Sequence, residues 1–235
     1  MKGRSPVLGR LVAVSAAVLG VGLVATACAP VEMGAAAIVG SQRITIATLD
    51  TEVTNLSRNV QQYHNPASLT AAQQTQTTLS WLIRFQINEQ LARSHGISVS
   101  AAQVQTALAE VDSEGESALE SEGLSNVTPD FILAYIGVPR NLSGELGRYE
   151  AIETQFIEQA NGGKIPTTTA AQTALTAQLD RAQCVAAKTL QIQVNPQFGR
   201  LNYSQDDQVV SVAGTVSRAE GPAKAASTSG LTPAC

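Results

Sequence analysis

Apolar positions recur along this chain at two spacings. At residues 37–46 the sequence Ala-Ile-Val-Gly-Ser-Gln-Arg-Ile-Thr-Ile places two short β-type runs on either side of Gly40-Ser41, which predicts a tight hairpin. Leu49, Val53, Leu56 and Val60 then fall four, three and four apart, so a helix opening near Thr48 carries one apolar face, with Asp50, Arg58 and Asn59 opposite. It ends in a turn at His64-Asn65-Pro66. A long helix is predicted over 70–94: Leu79, Leu82, Ile83, Ile87 and Leu91 make one stripe, while Trp81 and Phe85 sit four apart on another side. A helix apolar on more than one face belongs in the middle of a bundle, or offers a face to something outside the chain. His95-Gly96 closes it. Ser98-Val99-Ser100 with Gln103 opens the next helix, whose stripe is Val104, Leu108 and Val111. Residues 112–126 are acidic and rich in Ser and Gly, and read as a loop with at most a short helix at 116–120.

Thr128-Pro129-Asp130 starts a helix carrying Phe131, Ile132, Leu133, Tyr135 and Ile136, and Gly137-Val138-Pro139 stops it. Two further helices are predicted over 141–160 and 169–188; the second has its stripe at Leu175, Leu179, Ala182 and Val185. The period changes to two at 190–194, and Asn195-Pro196-Gln197-Phe198-Gly199 turns towards a last strand over 208–212. The fold class expected is mainly α, a helical bundle in which short N- and C-terminal strands share one small sheet.

The N-terminus is organised differently. Lys2, Arg4 and Arg10 precede an apolar run over 11–24, and Ala25-Thr26-Ala27 leads into Cys28. This order is that of a secretory signal peptide, and the run is too short for a stable membrane span. Val24-Ala25-Thr26-Ala27-Cys28 looks like a bacterial lipobox, in which the thiol is alkylated with diacylglycerol before cleavage. Lipidation of Cys28 would tether the rest to a membrane, each buried methylene contributing about 0.8 kcal/mol. The expected organisation is a leader at 1–27, a tether at 28–36, a folded domain at 37–211 and a flexible tail at 212–235. Export would place the mature chain on the outer face of the cell membrane.

The whole chain has 235 residues and formal charge −4, with 15 Lys+Arg against 19 Asp+Glu; losing the leader and its three bases leaves 208 residues of charge −7. Such a chain has no basic field for nucleic acid, so that partner class is disfavoured. Outside the cytoplasm, Cys184 and Cys235 are expected to pair, closing a loop of about 50 residues worth on the order of 4 kcal/mol. Without a Cys-x-x-Cys spacing the bridge would be structural.

Chemistry is sparse. The two histidines, His64 and His95, sit where helices end, and no nucleophile, zinc or phosphate-loop motif occurs. The acidic group Asp112, Glu114, Glu116, Glu120 and Glu122 lacks the spacing of a calcium loop and reads as a solvated face, so no metal and no cofactor are expected. What remains is apolar surface. Trp81, Phe85, Phe131, Tyr135, Tyr149 and Phe156, placed around a cleft, would form a groove for an extended or partly helical client segment. As core residues they would only pack.

Three stretches carry a family resemblance. Residues 36–45 followed by a helix look like the opening of the SurA N-terminal domain; residues 79–100 are similar to that family's long central helix and the helix start after it; Asn195-Pro196-Gln197-Phe198-Gly199 resembles the turn before the final strand in lipid-anchored actinobacterial members. The resemblance implies an extracytoplasmic chaperone-like protein that binds unfolded or newly exported polypeptides without ATP. Related foldases insert a parvulin prolyl isomerase domain, for which this chain has neither the length nor a matching site. Isomerase activity is therefore the lesser expectation, alongside a docking lipoprotein with one fixed partner.

Overall fold

A computed structural model describes residues 33–63, 69–202 and 208–210. Strand β1 (Ala35–Val39) turns at Gly40, where φ is +60°, into antiparallel β2 (Gln42–Thr45). The turn is pinned from the far end of the chain: the Gly40 N–H donates to the Leu190 carbonyl at 2.6 Å, and a Cβ at Gly40 would lie 2.9 Å from the Leu190 side chain. The positive φ favours glycine here, and a Cβ would displace the end of the Leu190 side chain.

Six helices follow: α1 (Ile46–Tyr63), α2 (Ala71–His95), α3 (Ala101–Ser121), α4 (Pro129–Ile136), α5 (Ser143–Ala160) and α6 (Thr169–Leu190). Four of these helices start on side-chain caps, whose chemistry is local. Thr70 and Gln73 form a capping box on α2, and Ser100 and Gln103 form one on α3, each side chain satisfying an N–H that the first helical turn leaves over. Thr128 and Thr168 cap α4 and α6. Each such cap contributes about 1 kcal/mol.

Helix α2 is the axis of the domain. Leu79, Ile83, Ile87 and Leu91 pack with Leu49, Ile152, Phe156, Leu179 and Ala187 and with Ala37 and Val39 of β1. Its other side carries Trp81 and Phe85 into a second cluster with Leu133, Val138, Leu142, Leu146 and Tyr149. Among the described residues no helix is long and apolar enough to cross a membrane.

The chain returns to its beginning. Strand β3 (Gln193–Val194) pairs antiparallel with the free edge of β1, giving the order β2-β1-β3, so both ends of the domain share one sheet as the pattern predicts. Asn195 locks this closure: its N–H donates to the Ala36 carbonyl at 2.9 Å and its side-chain amide donates to the Ala35 carbonyl at 3.0 Å. The next turn places Phe198 against the main core. Strands β4 (Arg200–Asn202) and β5 (Gln208–Val210) form a separate antiparallel pair.

Several expectations change. The stretch 112–126 is not a loop: α3 runs unbroken to Ser121. Gly115, which composition marks as a breaker, is a packing site, since a Cβ there would lie 2.8 Å from the Ile132 side chain. Asp112 is half-buried and so is not on a solvated face, and Asn59, expected on the polar side of α1, is buried. Val185, expected in the α6 stripe, is 56% exposed. Of the period-two run at 190–194, Leu190 is the last residue of α6, Gln191 caps it in a left-handed conformation, and only Gln193 and Val194 are strand. Strand β1 begins at Ala35, and Ala35 and Ala36 are fully buried, so the fold starts inside the stretch read as tether. The turn at 64–66, the leader and the tail beyond 210 lie outside the described residues.

Candidate functional site

Four of the six aromatic residues expected to line a groove are in the interior. Trp81, Phe85, Tyr149 and Phe156 are each less than 10% exposed. The Trp81, Phe85 and Tyr149 rings pack mutually at 5.6–6.1 Å between centroids, and the indole N–H donates to the Ile136 carbonyl at 3.1 Å. Phe156 meets the edge of the His95 ring at 5.0 Å. Phe131 and Tyr135 are half-buried on α4, with Phe131 against Tyr63 and the Tyr135 hydroxyl donating to Glu122. These six side chains therefore do not converge on an open groove; four build cores, because rings spaced four apart on a helix with two apolar sides are taken up by neighbouring helices.

Beside Tyr149 lies a polar cluster that no sequence motif announces. Asn88 on α2 is 1% exposed; its amide donates to the Tyr149 carbonyl at 3.0 Å and its oxygen accepts from Gln183 of α6 at 3.1 Å. Gln183 also donates to Glu153 at 2.6 Å. Arg84 donates to the Tyr149 hydroxyl at 3.1 Å and lays its guanidinium over the Trp81 ring at 4.3 Å. The cluster joins α2, α5 and α6, its members satisfying one another's donors and acceptors. Burial, and then the charge of Glu153, raise the Tyr149 phenol above its ordinary range. Burial also raises the Glu153 carboxyl against the opposing hydrogen bonds from Tyr149 and Gln183. Glu150 is pushed up to about 7, first by burial and then by Glu153, with Arg84 opposing and Glu114 adding. Such perturbed groups mark candidate active sites. Here Tyr149 and Glu153 are tied into a structural network, and Glu150 lies beside it.

Open surface is found elsewhere. A cleft of about 700 Å³ runs between α3, α5 and the connection from α5 to α6. Ala107 and Ala151 form part of its lining with Ile157; Ile165, 68% exposed, stands beside buried Pro166; Gln103, Thr106, Thr154, Gln155 and Gln172 supply amide and hydroxyl groups. Its charged lining is Glu110, Glu114 and Glu158. The helices approach closely because Gly147 has no side chain: a Cβ there would lie 2.7 Å from the Val104 carbonyl. A smaller hollow of about 390 Å³ lies between the end of α2 and α6, where Val185 is exposed. Recognition by such surfaces needs shape and apolar contact, without a reactive group.

A helix ended before residue 112 hides the cleft, because it keeps Glu110 but leaves Glu114 on a loop, whereas α3 carries both. The spacing of four between them was the available signal. Among the described residues no three His, Cys, Asp or Glu side chains are placed to hold a metal ion. Cys184 is half-buried on α6, and the other two cysteines, Cys28 and Cys235, lie outside the described residues.

Residues 6–116 match the family model of the SurA-like N-terminal domain. The match takes in β1 and β2, α1, α2 and most of α3, and so the α3 wall of the cleft; the α5 wall, and the Asn195–Gly199 turn that resembles the same family, lie beyond it. The match is to the N-terminal domain alone, with no parvulin domain detected. No curated protein and no solved structure matches the chain.

Proposed function

We propose, from the match of residues 6–116 to the SurA-like N-terminal domain, that this chain is a lipid-anchored, extracytoplasmic chaperone-like protein that holds unfolded or newly exported polypeptides without catalysis. The observation that carries the reading is the open cleft between α3 and α5, whose α3 wall is built by the matched residues. The Val24–Cys28 lipobox supports an anchor at the membrane surface, and Ile165 supplies apolar surface of the sort an unfolded segment can cover. The buried polar cluster supports a binding role over an enzymatic one, since its acid and amide groups are engaged with each other across three helices.

The test is aggregation of a chemically unfolded client diluted into buffer, followed by light scattering with and without the full chain. Slower aggregation at stoichiometric ratios, with no acceleration of proline-peptide isomerisation above the uncatalysed rate, is the expected result. Unchanged aggregation across several clients would remove the reading.

A further inference from the structure

The charges along the cleft are all of one sign. Glu110 and Glu114 on α3 and Glu158 on α5 line it, and no Lys or Arg does; the nearest base in sequence, Lys164, precedes the lining residue Ile165. Glu158 accepts a hydrogen bond from Gln155 at 2.7 Å, whereas Glu110 and Glu114 have no ion-pair partner among the described residues. Carboxylates set in a concave wall focus their field, and an incoming cation gains more from them than it would on an open surface. Apolar contact is offered in the same cleft by Ile157, Ile165 and Pro166.

We propose that this cleft selects client segments in which Lys or Arg alternates with aliphatic side chains, over acidic or purely polar segments. The proposal rests on the polypeptide-binding reading above and adds to it a site and a substrate class. Extended backbone turns alternate residues to opposite sides, so such a segment can present aliphatic groups to Ile157 and Ile165 and its cationic groups to the glutamates. Gln172 lines the cleft as well, while the Gln103 oxygen is engaged in the α3 capping box and the Gln155 amide donates to Glu158. A polyamine would meet the carboxylates but leave Ile165 uncovered. A polypeptide accounts for both halves of the lining.

Fluorescence anisotropy with the full chain and three labelled peptides of equal length, Lys-Leu, Glu-Leu and Lys-Ser repeats, tests this. The Lys-Leu peptide is expected to bind at least about tenfold tighter than either of the others, and to weaken as NaCl rises from about 50 to about 500 mM. The triple variant Glu110→Gln, Glu114→Gln, Glu158→Gln should lose the preference over Glu-Leu, and Ile165→Ser the preference over Lys-Ser. Both changes lie on the cleft surface, and circular dichroism checks that the helices persist. A native chain that does not discriminate, a triple variant that does, or spermine binding as tightly as Lys-Leu overturns the assignment. If the native chain still slows client aggregation in that event, the chaperone reading stands and only the cleft is wrong; a chain that binds no peptide and slows no aggregation fails on both.

Discussion

Glu150 gives the sharpest energetic test of the buried cluster. Its carboxyl is half-buried on α5, with Glu153 on the same helix, Arg84 facing it from α2 and Glu114 from α3, and its proton is held up to about pH 7 where an ordinary glutamate releases it at 4.5. Between those two values the folded chain binds more protons than the unfolded one, so stability falls as pH rises through the window and levels off above it. At roughly 1.36 kcal/mol per pH unit, the interval from 4.5 to about 7 sets a ceiling of about 3 kcal/mol; water reaching a half-buried group reduces this to roughly 1–2 kcal/mol. Glu150→Gln stays neutral at every pH. The variant should match the native chain at pH 5 and exceed it by about 1–2 kcal/mol at pH 8, a rise in melting temperature of roughly 2–8 °C for a chain of this size. Glu153 is raised in the same direction, so part of the pH slope should survive the substitution. Urea unfolding followed by circular dichroism at the two pH values reads both quantities. A variant no more stable than native at pH 8, or a native chain that gains stability from pH 5 to 8, would refute the burial argument.

Gly147→Ala drives a methyl against the Val104 carbonyl, and α3 must move off α5; a loss of about 1–3 kcal/mol is expected in urea unfolding. Gly144→Ala on the same helix meets nothing within 4 Å and should be neutral or stabilising by up to about 1 kcal/mol, which separates crowding from helix propensity. Trp81 is the chain's one tryptophan and is 9% exposed, so its emission maximum should be that of a buried indole and should not move when client is added. Trp81→Ala should cost about 3–5 kcal/mol, from the cavity and the orphaned Ile136 carbonyl.

The elements that were legible in the sequence are those whose signal is local. Thr70 with Gln73, Ser100 with Gln103 and Thr128 with Pro129 announce helix starts within four residues, and the Gly40 turn and terminal strands are similarly written in period and turn chemistry. The family resemblance covers the same ground. What failed depends on partners distant in sequence. Gly115 looks like a breaker until Ile132 is brought against it, and Asn88 looks like an exposed helix amide until Gln183 arrives 95 residues later. The aromatics misled for the same reason: a two-sided apolar helix is consistent with a groove or with a buried axis, and only the placement of α4 and α5 around Trp81 and Phe85 decides.

The β2-β1-β3 sheet has a consequence for how the chain must be made. Ala37 has one neighbour strand as soon as the hairpin forms, but its other edge waits for Val194. Contacts so far apart in sequence close late, after the long loop between them has been ordered. A chain that leaves a ribosome or crosses a membrane N-terminus first exposes the β1 edge until nearly the whole domain has emerged, and unpaired edges recruit other strands. The Asn195 latch is thus the step that ends a vulnerable interval. By the function proposed for it, this protein would guard other chains through the interval that its own topology prolongs.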